Sequence, residues 1–134
     1  MSGQKHEISD MVALNELQKE IDTIFDVISE RFDLSKEEYL AMVALWDNGS
    51  MSLKELDQYV DIKPYKRTRF FNNLVAKGWI YKERPQNDER TVIIHYNKDK
   101  AADKDEIVRV ACSAIKNNMT DFKKYFQQVL DICK

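Results

Sequence analysis

The chain has 134 residues, a formal net charge of −2, 43% hydrophobic and 33% charged residues. This length fits one domain, and with three glycines and two prolines the composition excludes collagen-like and disordered chains and favours helix. No apolar run approaches the ~20 residues that a membrane-spanning helix needs, and the first residues lack the apolar segment of a signal peptide. We therefore expect a mostly helical cytoplasmic protein with no membrane partner.

Charge is unevenly distributed along the chain. Residues 1–62 carry 5 Lys and Arg against 14 Asp and Glu, whereas residues 63–84 carry 7 against 1. A basic block of this kind can focus a positive field on one surface of an otherwise acidic protein. The block favours a polyanionic partner, and from charge alone a solvated helix face is the alternative interpretation.

The first predicted element is a long amphipathic helix over about residues 6–32. Its apolar residues recur at alternating spacings of three and four, as in the seam between paired helices. A seam of this length requires a partner helix, either from the C-terminal region or from a second copy of the chain. The predicted dimer-seam residues are Leu14, Leu17, Ile21, Ile24 and Ile28.

Two capping boxes predict where the next helices begin. Ser35 with Glu38, and Ser52 with Glu55, place a hydroxyl at the N-cap and a carboxylate three residues later. The first box predicts a helix of three to four turns that ends at Gly49, because glycine tolerates the left-handed conformation of a helix C-terminus. The second predicts a helix of about two turns.

Pro64 predicts the start of another helix, because a first-turn proline costs no intrahelical hydrogen bond. Lys77-Gly78 predicts its end, since a cation followed by glycine is typical of a helix C-terminus. Together with the short helix before it, this helix gives a helix-turn-helix over residues 52–78, whose second helix would enter the major groove with its basic N-terminal residues. The residues predicted to face inward are Phe70, Phe71, Leu74 and Val75.

Residues 79–96 predict a β-hairpin, because β-branched and aromatic segments flank turn-forming residues 85–90. A hairpin with a polar, basic tip after a helix-turn-helix is a wing. Amphipathic patterns over 98–117 and after residue 118 predict two final helices.

The predicted fold class is α+β, mainly α, a winged helix-turn-helix with long N-terminal and C-terminal dimerisation helices. We expect one DNA-binding domain over residues 1–134, with the dimerisation helices at 1–34 and 98–134.

The order of these elements and several motifs resemble the MarR superfamily and, within it, the staphylococcal accessory regulator (SarA) family. The resemblance is densest over about residues 45–96. It implies a homodimeric transcriptional regulator, a repressor or activator of virulence genes that encode exotoxins and surface proteins. The motifs are Leu45-Trp46, Gly49-Ser50-Met51, Lys63-Pro64-Tyr65-Lys66-Arg67-Thr68-Arg69, Asn72-Asn73-Leu74-Val75, Trp79-Ile80-Tyr81-Lys82-Glu83-Arg84-Pro85 and the wing sequence Asp88-Glu89-Arg90-Thr91-Val92.

The resemblance also implies which residues contact double-stranded DNA. Arg90 in the wing would enter a narrow, A·T-rich minor groove, where the negative potential is enhanced, and Asp88 would brace it. Tyr65 offers a ring to a thymine methyl and a hydroxyl to a phosphate or a base edge. For Asp88 and Arg90 an ordinary charged turn is the alternative. The full set is Lys63, Tyr65, Lys66, Arg67, Arg69, Asn72, Lys82, Arg84, Asp88 and Arg90.

Other kinds of site find little support in the sequence. Cys112, Cys133, His6 and His95 lack the spacings of a metal site, and catalytic motifs are absent from the sequence. We therefore expect no enzyme, cofactor or metal. His95 is predicted to be a half-buried structural residue, and both cysteines to be buried, inert packing residues.

Two further interpretations stay open. One is a ligand- or redox-responsive MarR-type regulator, because an apolar pocket lining and an apolar core share one sequence pattern. The other is a winged-helix interaction module whose basic face meets an acidic protein instead of DNA.

Overall fold

The computed structural model describes residues 2–85 and 91–133, with side chains from residue 11 onward. Within these ranges the chain is mainly helical with one small antiparallel sheet, which confirms the predicted fold class. None of the helices in this part of the chain is long and apolar enough to span a bilayer. The elements are α1 (Ser2–Phe32), α2 (Lys36–Asn48), β1 (Met51–Ser52), α3 (Leu53–Leu56), α4 (Pro64–Ala76), β2 (Ile80–Glu83), β3 (Ile93–Tyr96), a 3-10 turn (Lys98–Lys100), α5 (Ala101–Asn117) and α6 (Met119–Ile132).

Both predicted capping boxes are present. Ser35 Oγ accepts a hydrogen bond from the Glu38 N–H at 3.1 Å, and the Glu38 carboxylate accepts one from the Ser35 N–H at 2.9 Å. Ser52 and Glu55 form the same reciprocal pair at 3.2 and 3.4 Å. Gly49 ends α2 with a φ of +82°, a conformation that favours glycine. The starts of α2 and α3 and the end of α2 are therefore set by local sequence.

The first helix of the helix-turn-helix is shorter than predicted. Helix α3 has only 4 residues, although the Val60 N–H still donates to the Leu56 carbonyl at 3.1 Å and continues the turn. Helix α4 begins at Pro64 as predicted. The prediction for Val75 is wrong, because α4 buries a narrow stripe through Phe71 and Leu74 and leaves Val75 40% exposed.

The sheet contains the predicted hairpin and one unpredicted strand. In the hairpin, Ile80 lies opposite Tyr96 and Glu83 opposite Ile93. Strand β1 pairs with the other edge of β3, so the strand order is β1-β3-β2. A strand of two residues leaves no alternating pattern to recognise, which is why the sequence did not predict it.

The core lies where α1, α2 and α5 meet the helix-turn-helix and the sheet. Burying each large apolar side chain there contributes roughly 1.5–3 kcal/mol relative to leaving it exposed. Helices α1, α5 and α6 also pack against one another, although α6 contributes no buried residue. The largest fully buried side chains are Ile28, Leu34, Met42, Leu45, Leu56, Leu74, Ile94 and Ile107.

Candidate nucleic-acid interface

The exposed face of α4, together with its N-cap, carries five of the ten predicted DNA-contacting residues. Tyr65, Arg69 and Asn72 recur at helical spacing on the side away from the buried stripe. The Tyr65 ring is 77% exposed, and Lys66 Nζ lies 5.7 Å from its centroid in a cation–π contact. Lys63 is exposed at the N-cap. The helix therefore presents cations, an amide and an aromatic ring to solvent.

Strand β2 extends this face towards the wing. Lys82 Nζ donates to Asn72 Oδ1 at 2.6 Å, which joins β2 to α4. This bond occupies the amide oxygen of Asn72 and leaves its two N–H groups as donors. Arg84, just after β2, is also exposed. We call the exposed residues Lys63, Tyr65, Lys66, Arg69, Asn72, Lys82 and Arg84 the basic surface.

Two cations of the basic block are paired inside the chain. Lys77 Nζ donates to Glu38 Oε1 at 2.9 Å and to the Asp33 carbonyl at 2.6 Å, and so ties the end of α4 to the start of α2. Arg67 Nη2 lies 2.8 Å from Asp57 Oδ2. Both acidic partners come from the acidic N-terminal segment, so the charge count overstates the cations available on the surface.

The predicted wing-tip residues Asp88 and Arg90 lie outside the described residues. The strands of the wing are described. On their outer face, hydrogen bonds of the His95 side chain join those of Ser50 and Glu83. His95 Nδ1 lies 2.5 Å from Ser50 Oγ, and His95 Nε2 lies 2.7 Å from Glu83 Oε2. The Tyr81 ring stacks on the imidazole, with 4.8 Å between the ring centroids. These contacts stabilise the sheet and confirm the predicted half-buried structural role of His95.

A second exposed surface is apolar and lies on α1, α5 and α6. Of the predicted seam, Leu14 and Ile21 are exposed and line a groove of about 460 Å³ with Leu17. Ile24 is half-buried, and Ile28 is only 1% exposed and belongs to the core of its own chain. We call the following exposed residues the apolar surface: Met11, Val12, Leu14, Ile21, Val108, Ile115, Met119, Phe126 and Leu130.

The prediction that the cysteines are buried is wrong. Cys112 and Cys133 are both exposed, because Ile107, Val110 and Ala111 occupy the inward face of α5 and α6 has no buried face in one chain. Cys112 nevertheless lies near α2, where burial raises the pKa of the Tyr39 hydroxyl and the charge of Cys112 raises it further. Within the described ranges, no cluster of three His, Cys, Asp or Glu side chains could hold a metal ion.

Comparison with solved structures relates this fold to known regulators. AbfR of Staphylococcus epidermidis, solved in its overoxidized form bound to DNA, has a TM-score of 0.68 at 16% identity, with 100% of both chains covered. A MarR-like transcription regulator from Bacillus cereus has a TM-score of 0.70 at 20% identity, with 98% of this chain and 91% of that chain covered. At these identities the likeness establishes the winged-helix fold.

Sequence comparison gives the family. The family described as Transcriptional regulator SarA/Rot matches residues 23–107. The HTH-type transcriptional regulator rot of Staphylococcus aureus is 43% identical over 122 residues, covering 91% of this chain and 74% of that protein. Both findings agree with the resemblance of the motifs between residues 45 and 96. The chain belongs to the SarA/Rot family of transcriptional regulators.

Proposed function

We propose that the chain is a homodimeric transcriptional regulator that binds double-stranded DNA through the basic surface and acts by binding, not by catalysis. The observation that carries this proposal is the state of the α4 cations. Lys63, Lys66 and Arg69 are exposed and form no salt bridge within the described part of the chain. Three neighbouring cations without acidic partners among the described residues, beside an exposed tyrosine, suit a phosphate backbone and the edges of bases.

The proposed docking places α4 in the major groove. The N-terminal residues of α4 would read base edges, with Tyr65 against a thymine methyl, while lysines contact phosphates. Lys82 and Arg84 would lie over the adjacent backbone, and Arg90, braced by Asp88, would enter the flanking minor groove. Support comes from the sequence identity to the rot regulator and from a neighbour of the same fold that was solved on DNA.

The proposed dimer uses the apolar surface. A monomer seldom leaves so many large apolar side chains exposed on neighbouring helices, and a second copy would cover them by two-fold symmetry. The dimerisation regions 1–34 and 98–134 would then flank the DNA-binding residues 52–96 within one domain. Two α4 helices would enter successive major grooves about 34–36 Å apart.

The genes under control would be those that the family resemblance implies, for virulence factors such as exotoxins and surface proteins. Such a regulator would act in the cytoplasm, where the chromosome lies. One observation supports a regulator whose DNA binding responds to oxidation. Cys112 and Cys133 are exposed, and accessible thiols can be oxidised. Serine variants at both positions would abolish a response to peroxide in DNA binding.

Titration of a promoter-length duplex with the native chain at several salt concentrations tests the proposal. If the chain binds phosphates, the logarithm of the affinity should fall linearly with the logarithm of the salt concentration. The slope of this line should be about −0.9 for each phosphate neutralised. Absence of duplex binding at low salt would overturn the proposal and would favour the interaction module with an acidic protein partner.

A further inference from the structure

The helix-turn-helix contains one arginine whose surroundings differ from those of its neighbours. Arg67 sits between Lys66 and Arg69 in the most basic stretch of the chain, yet its side chain is only 32% exposed and its Nη2 lies 2.8 Å from Asp57 Oδ2. Its Nε is buried without a hydrogen-bond partner in the described structure. Lys66 and Arg69, by contrast, are exposed and make no such bond.

The position of Asp57 shows which two elements this ion pair joins. Asp57 is the C-cap of α3, and Arg67 lies in the first turns of α4. The pair therefore spans the connection between the two helices of the helix-turn-helix. This connection runs over residues 57–63. Part of the chain between the helices is irregular, so a side-chain bridge across it limits how α4 can tilt relative to α3.

We infer that Asp57 and Arg67 are positioning residues that fix the orientation of α4 for DNA, and that Arg67 is not itself a DNA ligand. The inference rests on the proposed DNA binding and assigns a role to Asp57, an exposed acidic residue of the helix-turn-helix. A planar guanidinium held by a carboxylate loses freedom to reach a phosphate. With its Nε enclosed, releasing Arg67 towards DNA would also break the local packing.

The Asp57→Asn variant separates the two roles because it removes the negative charge that holds Arg67 and leaves every cation in place. If Arg67 contacted DNA, its release from Asp57 would keep or raise the affinity for DNA. The slope of the salt dependence would then become steeper by about 0.9. If the pair positions α4, affinity falls. Because loss of any carboxylate near DNA reduces repulsion, Asp61→Asn is the matched control. Asp61 is exposed in the same connection and forms no salt bridge in the described structure.

We expect Asp57→Asn to bind duplex DNA about fivefold more weakly than Asp61→Asn, which corresponds to about 1 kcal/mol, with the salt dependence unchanged. Arg67→Gln should weaken binding without changing the slope of the salt dependence. Lys66→Gln should make that slope shallower by about 0.9. Far-ultraviolet circular dichroism and thermal melting would show that all four variants fold.

Two results would overturn the inference while leaving the proposed DNA binding in place. One is binding by Asp57→Asn that equals or exceeds that of Asp61→Asn, and the other is a loss of salt dependence in Arg67→Gln as large as in Lys66→Gln. A native chain that binds no duplex would overturn the proposed function, and the positioning role with it. Native binding combined with either result above would refute the positioning role alone.

Discussion

The two exposed surfaces of the chain differ in what they lack. In the described part of the chain, Lys66 and Arg69 of the basic surface have no acidic partner, whereas Phe126 of the apolar surface is 55% exposed without a cover. The first is complementary to a polyanion and the second to a copy of itself. Each surface is therefore incomplete in one chain, and its chemistry indicates the missing partner.

Breaking the apolar surface should have the largest effect. In Ile21→Glu a carboxylate would have to be buried between subunits without a partner, at a cost of several kcal/mol. We expect the dimer to dissociate at least about a hundredfold more readily, with loss of DNA binding. Analytical ultracentrifugation of Ile21→Glu against Thr23→Glu, which adds the same charge at an exposed polar position of α1, checks this. Equal dimerisation of both variants would contradict the assignment.

Removing cations from the basic surface should have the next largest effect, with little change in folding. We expect Lys66→Ala and Arg69→Ala each to weaken DNA binding about tenfold, since a base contact contributes about 1–3 kcal/mol. A phosphate contact would also reduce the salt dependence by about 0.9. Fluorescence anisotropy against Lys116→Ala, an exposed cation of α5, provides the comparison. Wild-type affinity in both variants would rule out α4 as the reading helix.

The bond between Lys82 and Asn72 predicts that these residues act together. Either Asn72→Ala or Lys82→Met should weaken binding about fivefold, and the double variant should lose less than the two effects combined, with a coupling of about 0.5–1 kcal/mol. A double-mutant cycle in DNA affinity measures this coupling. Strict additivity would show that each side chain contacts DNA independently.

The wing tip should have the smallest effect. Minor-groove readout is largely limited to A·T against G·C and to groove width, so we expect Arg90→Ala to weaken binding about threefold on A·T-rich flanks and hardly at all on G·C-rich flanks. Titrations of native and variant chains against two duplexes with one shared centre measure the difference. If the native chain shows no preference between flanks, Arg90 does not read a minor groove.

Local features of this fold were predictable from sequence because their causes are local. The capping boxes at Ser35 and Ser52, Pro64 at the start of α4 and Gly49 after α2 each act within a few residues. Strand β1 was not predictable, since its formation depends on pairing with β3 more than forty residues later.

In the candidate site, too, local features were predictable from sequence and long-range contacts were not. The types and spacing of Tyr65, Lys66 and Arg69 predicted that they face solvent, and all three are exposed. The internal pairing of Lys77 with Glu38, 39 residues apart, left no signal in the sequence, because a charge pattern does not reveal which opposite charge folds against it. The exposure of Cys112 was missed for a similar reason, since apolar neighbours in sequence do not show which helix face meets the core.

Selection of bound duplexes from a randomised pool by the native chain tests most directly whether both surfaces serve one dimeric DNA-binding protein. We expect enrichment of an inverted repeat whose half-sites are centred about 10–10.5 base pairs apart, or a multiple of this spacing, with A·T-rich flanks. Recovery of unenriched sequence, or of single half-sites without a symmetric partner, would contradict this expectation.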